Sequence, residues 1–268
     1  MANPLVRRGL EQGIKAGNQP ATPSAEELNS MYMAPSAQPQ RPVDERVMTY
    51  DDVLVKTGIC FAVLLAGAVI GWFVPMLALP AALAGLVLGL VNAFKREPSK
   101  ALILTYAGVE GIFLGGISGI FNTVYDGIVV QAVLATLSVF ALMFALFRFR
   151  VIRMSGGFMK FLMLAVGGYA IFSLVNFGFA MFSGGAMNAR SIMINLPILG
   201  EMPLGVVISA VAVILASLTL VADFQMIEQG VKHRIPEKYS WTCAFSLMVT
   251  LIWLYIEILR LLSYFRQN

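Results

Sequence analysis

Residues 204–227 read LGVVISAVAVILASLTLVADFQMI, and Asp223 is the only charged residue in this stretch. At a rise of 1.5 Å per residue, an α-helix of this length measures about 36 Å. The hydrocarbon core of a bilayer is about 30 Å thick, so the helix is long enough to cross it. The stretch therefore predicts a transmembrane helix that carries one carboxylate.

Six more apolar runs of this kind follow one another at short intervals from Lys56 onward. They are 57–75, 78–95, 101–121, 128–147, 158–182 and 241–264. Membrane-spanning strands would instead alternate apolar and polar residues in segments of about ten. Hydrophobic residues make up 58% of the chain and charged residues 13%, about half the charged share of a soluble domain. The sequence predicts an all-α integral membrane protein with a seven-transmembrane-helix bundle over residues 51–268.

The small-residue motifs GLVLG, GGISG and AVGGYA lie within three of these runs. Glycine and alanine let membrane helices approach closely, so the motifs predict a compact bundle. Hinges are the alternative role for these glycines.

Residues 1–50 differ from the rest, because they are rich in Pro, Ala, Ser, Gln and Asn. Such a composition cannot bury a core, and it contains no apolar stretch typical of a cleaved signal peptide. We expect a flexible cytoplasmic tail, with a docking or regulatory segment as the alternative.

The loop charges predict the orientation. Lys and Arg are grouped in the loops 95–100, 148–160 and 228–240, whereas the loops between them are nearly bare. Cytoplasmic loops carry this excess, so we expect a multi-pass protein of the inner (plasma) membrane with a cytoplasmic N-terminus; an organelle membrane is the alternative. We interpret the net charge of +4 as this signal and expect no nucleic-acid partner. Seven spans put the C-terminus outside, yet Arg260 and Arg266 suggest a final helix that is central or only partly spanning.

The informative ionisable residues inside the apolar runs are Glu110, Asp223, Glu257 and Arg260. A charge at the membrane centre costs about 2.5–3.5 kcal/mol, so it needs a partner, a proton or water. We predict Asp223, Glu257 and Glu110 as ion- or proton-sensing residues, and Asp223 with Glu257 as oxygen ligands for a cation. Two purely structural explanations stay open. Glu257 forms an ion pair with Arg260 three residues on, or Asp223 is an interfacial residue near the end of its helix.

The sequence does not favour an enzyme. GISG at 116–119 resembles the motif around the serine of rhomboid proteases, but that serine needs a histidine base, and the one histidine, His233, lies in a basic loop. There is no HExxH motif for zinc and no lysine in the last run to carry a retinal. We expect no catalytic residues and no cofactor.

Three segments resemble the Bax inhibitor-1 (transmembrane Bax inhibitor motif) family, and within it the bacterial YccA-like branch. They are YAGVEGIFLGGISGIF at 106–121, LTLVADFQMIEQG at 218–230 and LIWLYIEILRLLSYF at 251–265. The resemblance covers about residues 50–266 and leaves the tail outside. It implies six helices around a central seventh, and a pH-sensitive calcium leak in which calcium is the transported ion.

The resemblance also implies roles for individual residues. Asp223 falls at the sixth-helix aspartate of the family, Arg260 at the arginine near the end of the last helix, and Arg96 more loosely at the latch arginine. This sequence departs from the pattern at Thr250, which stands where the family has a second aspartate. Either Glu257 or Glu110 takes over the pairing, or the aspartate latch is absent.

Two functions follow as hypotheses. The first is a calcium leak channel gated by protonation of a buried carboxylate network, with Arg260 or Arg96 as counter-ion. The alternative is a non-enzymatic regulator that binds a membrane protease or stress-response machinery through its tail and loops. A coupled transporter is not supported, because the chain shows no inverted repeat.

Overall fold

The computed structural model of the protein describes residues 24–26, 46–183, 188–196 and 200–267. Most of the predicted tail, residues 1–23 and 27–45, lies outside the described part of the chain. The helices belong to one compact unit, Arg46–Asn268.

Seven long helices make up most of this unit and confirm the predicted all-α membrane fold. Within the described residues, all seven are long and apolar enough to cross a membrane. They are α1 (Tyr50–Phe73), α2 (Ala78–Phe94), α3 (Lys100–Val124), α4 (Ile128–Arg148), α5 (Gly156–Phe182), α6 (Leu204–Lys232) and α7 (Ser240–Gln267). The predicted spans match these helices to within a few residues at most of their ends.

The largest differences are at the start of α1 and at the end of α6. Helix α1 begins at Tyr50 rather than at residue 57, because Thr49 and Asp52 form a capping box that satisfies exposed backbone N–H groups of the first turn. Helix α6 continues to Lys232 rather than ending at 227. Hydropathy alone misses both segments, since they hold charged residues.

Helix α7 occupies the centre of the bundle. It packs directly against α1, α3, α4 and α6 and is the most buried of the seven helices. The other helices form a shell, in which α2 packs on α3 and α5 packs on α6. Large apolar side chains on the outer faces of the shell are exposed, as expected for surfaces that contact lipid. The predicted arrangement of six helices around a central seventh is confirmed.

Helices α1 and α3 pack with their backbones in close contact. A Cβ atom added at Gly71 would overlap the carbonyl oxygen of Ile112, and one at Gly115 would overlap that of Ala68. Only glycine fits at such a crossing, because any side chain would push the two helices apart. The crossing holds α3, which carries Glu110, in a fixed position.

The bundle has two distinct ends, which we call the basic end and the opposite end. The basic end carries the starts of α1, α3, α5 and α7, and the loops 95–100, 148–160 and 228–240. At this end Lys56 binds Glu237 (2.8 Å) and Ser240 (2.6 Å), next to the start of α7. At the opposite end Arg266 donates to the backbone oxygen of Asp126 at 2.6 Å. Helix α7 therefore crosses the whole bundle, and the suggestion that it spans only partly is wrong.

The connection between α5 and α6 contains a short hairpin that the sequence analysis did not predict. Strands β1 (Met193–Leu196) and β2 (Gly200–Pro203) pair antiparallel, with Met193 opposite Pro203. A helical turn at Ala189–Ser191 precedes the hairpin. The two elements lie at the opposite end of the bundle and position Arg190.

Candidate functional site

Asp223 lies in the interface between α6 and α7 and is 4% exposed. It accepts a hydrogen bond from Ser246 Oγ at 2.6 Å and another from Thr250 Oγ1 at 2.7 Å. Within the described chain no lysine or arginine forms an ion pair with it. Thr250, the residue at the position of the second family aspartate, therefore faces Asp223 as a neutral hydroxyl.

Asp223 is enclosed by protein rather than exposed at the surface of the bundle, and an interfacial role stays a prediction. Nine residues separate it from Lys232 at the end of α6, which corresponds to about 14 Å along the helix axis. The nearest charged residue on α6, Glu228, lies five residues after Asp223, which is about 7.5 Å along the axis. Asp223 is thus a carboxylate buried within the apolar part of α6, and its hydrogen-bond partners are two hydroxyl groups.

Glu257 is the centre of a second polar group, which we call the Glu257 cluster. It is 2% exposed and binds Arg260 at 2.7 Å and Arg190 at 3.3 Å. Tyr169 donates a hydrogen bond to Glu257, and Arg190 in turn donates to Tyr169 at 2.7 Å and to Ser209 at 3.2 Å. The cluster joins α5, α6 and α7 to the α5–α6 connection, and it holds two arginines against one carboxylate.

Arg190 is buried although it belongs to a loop. The turn that carries it is fixed to α5, because Asn176 Oδ1 accepts from the Ala189 N–H at 2.8 Å and Asn176 Nδ2 donates to Asn188 Oδ1 at 3.2 Å. Burial by itself lowers the pKa of Arg190, but Glu257 and Tyr169 outweigh it and hold the pKa above its ordinary value. The guanidinium is a permanent charge that the loop inserts into the bundle.

Glu110 belongs neither to the Asp223 site nor to the Glu257 cluster. It is 9% exposed, with Tyr106 beside it one turn earlier on α3. Its carboxylate packs against α2, where a Cβ atom at Gly85 would come within 2.6 Å of Oε1. Glu110 therefore faces α2, whereas Asp223 faces α7.

The predicted residues thus form separate groups rather than one network. Glu257 and Arg260 make the predicted ion pair, but neither Glu257 nor Glu110 reaches Asp223. Thr250, the contact of Asp223, lies seven residues before Glu257, which is about 10 Å along α7. Asp223 and Glu257 consequently cannot bind one cation together in this arrangement. Arg96 is exposed after the end of α2 and forms no ion pair with any described residue.

The group around Asp223 suits weak cation binding by its chemistry. Its carboxylate and the two hydroxyls supply oxygen ligands, which calcium prefers. Among the described residues, no group of three or more His, Cys, Asp and Glu side chains could hold a metal ion. Because one ligand is charged and the others are neutral, this group is suited to weak, reversible binding of a cation rather than to tight binding of a metal.

Sequence reasoning missed Arg190, Tyr169 and Ser246. Arg190 is the one basic residue in the sequence from 183 to 203, and this isolation was the available signal: a lone arginine in a loop otherwise without Lys or Arg needs a carboxylate. Tyr169 and Ser246 gave no signal, because hydroxyl side chains are ordinary in membrane helices.

Comparison with known proteins agrees with this architecture. No curated protein matches the sequence. A protein-family model described as Bax inhibitor 1 like matches residues 3–267. The match includes most of the N-terminal tail, which the sequence analysis placed outside the resemblance, while the YccA-like branch stays a prediction. Seven apolar helices, a central seventh helix and a match over nearly the whole chain lead to one conclusion: the chain belongs to the Bax inhibitor-1-like family.

Proposed function

We propose that this protein is a passive, pH-sensitive cation leak for calcium, without catalytic activity, that crosses the inner membrane with the basic end in the cytoplasm. The observation that supports the proposal is the environment of Asp223. A carboxylate that is buried in an apolar helix without a cationic partner is neutralised either by a proton or by a passing cation. A single residue can therefore respond both to pH and to the transported ion.

The proposed switch acts on the contact between α6 and α7. When Asp223 is charged, it accepts hydrogen bonds from Ser246 and Thr250 on α7. Protonation removes its charge and weakens these two bonds, because hydrogen bonds to charged groups are the stronger ones. The balance between two packings of α7 then shifts with pH.

The Glu257 cluster is the proposed second control point. It lies between Asp223 and the opposite end, and two guanidinium groups there repel cations. A conducting state therefore requires Arg190 to move away from Glu257. The counter-ion role proposed for Arg260 belongs to this cluster, and Arg96 would act only after a rearrangement of α2.

Calcium flux into proteoliposomes between pH 6 and pH 8 tests the proposal. The wild-type protein is expected to leak calcium at a rate that changes with pH. The variant Asp223→Asn, whose side chain stays neutral, is expected to leak at a rate that no longer depends on pH. Glu201→Gln, an exposed acid on the hairpin, is the matched control and keeps the wild-type profile.

Two results would overturn the proposal: no calcium flux at any pH, or an unchanged pH profile in Asp223→Asn. The alternative function, regulation of a membrane protease or stress machinery, predicts that a chain without residues 1–45 loses a specific partner in affinity capture while its flux is unchanged.

A further inference from the structure

A lateral groove separates α1 from α4. Helix α1 packs on α3 and α7, and α4 packs on α6 and α7, which leaves a cavity of ≈ 1490 Å³ between them. Its floor is formed partly by Leu251 and Ile252 of the central helix. The groove is independent of the Asp223 site and of the Glu257 cluster, since none of their residues lines it.

The walls of the groove are apolar along the whole height of the membrane. On α1 the lining runs from Tyr50 to Phe73, a distance of about 35 Å. Large, well-exposed side chains line both walls: Leu54, Leu65, Trp72, Val133, Leu137 and Phe144. Such a surface suits a hydrocarbon chain that lies lengthwise between the helices.

One end of the groove is cationic. Arg148, Arg150 and Arg153 line it at the basic end, and all three are exposed. Two acids also line this end: Glu228, which is already bound by Lys232 (2.5 Å) and Arg153 (3.5 Å), and Asp51 at the start of α1. Arg148 and Arg150 form no direct ion pair with any described residue, although a longer-range attraction links Arg150 to Glu228. Both guanidinium groups can therefore bind an anion at headgroup depth.

We propose that this groove is a binding site for an anionic phospholipid. Arg148 and Arg150 bind the phosphate, and an acyl chain lies between α1 and α4. The cationic end and the apolar walls follow one another along the groove as the headgroup and the chain do in a phospholipid. The lipid is then a fixed part of the bundle and contacts α7 directly.

Lipid binding to the purified full chain tests this proposal by native mass spectrometry. The two probes are dioleoyl phosphatidylglycerol and dioleoyl phosphatidylcholine, which have the same chains and esters and differ in headgroup charge. The wild-type protein is expected to retain the anionic lipid in preference to the zwitterionic one. Equal retention of the two would overturn the proposal.

Charge variants locate the headgroup. The double variant Arg148→Gln/Arg150→Gln is expected to bind phosphatidylglycerol about tenfold more weakly or worse, since each arginine near an anionic group contributes on the order of a factor of five. The control Lys160→Gln/Arg234→Gln removes the same charge from the basic end outside the groove and is expected to bind as the wild type does. Equal losses in both double variants would show non-specific attraction and overturn the site.

A matched pair of bulky substitutions locates the acyl chain. Leu137 lines the groove, whereas Leu134 lies one turn earlier on α4 outside the lining, and the two are similarly exposed (56% and 59%). Leu137→Trp is expected to block binding of both lipids, and Leu134→Trp to leave it unchanged. Full binding in Leu137→Trp would overturn the proposal.

Discussion

At the scale of single residues, the Glu257 cluster shows how the protein buries charge. Three charged groups and two hydroxyls lie together in the part of the bundle nearer the opposite end, and each charge has a partner within 3.3 Å. Removing water from ions costs several kcal/mol for each ion, and a buried pair recovers this only while both partners remain. The two arginines therefore depend on Glu257 more than Glu257 depends on either of them.

This asymmetry predicts the stability of cluster variants. Glu257→Gln leaves two guanidinium groups without a carboxylate and is expected to lower the free energy of unfolding by about 3–5 kcal/mol. Arg190→Gln is expected to cost less, because Arg260 still binds Glu257 at 2.7 Å. Arg153→Gln is the control: its surface pair with Glu228 is long and exposed, and such pairs contribute at most about 1 kcal/mol. Unfolding midpoints in detergent measure the stability of all three variants. Equal losses of stability in Glu257→Gln and Arg153→Gln would contradict the prediction.

The residue scale also shows what the sequence could reveal of the site. Asp223 and the Glu257–Arg260 pair were predictable, because charges stand out in apolar helices and a spacing of three residues defines neighbours on a helix. The contact from Arg190 was not, because 67 residues separate it from Glu257 and a loop has no periodicity that fixes its direction. The resemblance predicts that position 250 lies opposite Asp223. The distance between Thr250 and Asp223 comes only from the positions of α6 and α7 in the structure.

At the scale of elements, glycine decides which helices approach closely. GLVLG and GGISG were predicted to pack, and Gly85 and Gly115 do contact the neighbouring helix. AVGGYA was predicted to pack as well, but a side chain at Gly167 would meet no described atom within 4 Å. Composition cannot separate these cases, because a motif does not show whether its face of the helix points to protein or to lipid.

The difference can be tested with two identical substitutions. Gly115→Ala places a methyl group against the Ala68 carbonyl of α1 and is expected to cost about 1–3 kcal/mol of stability through overpacking. Gly167→Ala, on the open face of α5, is expected to stabilise by up to about 1 kcal/mol, since alanine is the better helix former. Thermal unfolding in one detergent shows whether each variant is less or more stable than the wild type. A neutral or stabilising effect of Gly115→Ala would show that the α1–α3 crossing adapts.

At the scale of the whole molecule, the grouping of basic loops divides the bundle into two chemically different ends. The number of helices could be predicted from hydropathy, because each of seven separate apolar runs is about long enough, as a helix, to cross the hydrocarbon core. The central place of α7 was not readable from hydropathy alone; the resemblance supplied it, and the charges of α7 agreed. The hairpin between α5 and α6 was missed, since strands of four residues give no periodic signal.

The proposed orientation has a direct test, because both native cysteines are buried, Cys60 at 0% and Cys243 at 3% exposure. Glu97→Cys places a thiol at the basic end and Asp126→Cys places one at the opposite end. In intact cells a membrane-impermeant maleimide is expected to label only Asp126→Cys, whereas both react in opened membranes. Labelling of Glu97→Cys in intact cells would reverse the orientation.

The central position of α7 has a consequence for biosynthesis. This helix follows the six shell helices in the chain, so it leaves the ribosome after them. Until it arrives, α1, α3, α4 and α6 each lack one packing partner, and Asp223 lacks the hydroxyls that bind it. We therefore expect the assembly intermediate to expose a carboxylate that the complete bundle buries, until the insertion of α7 covers it.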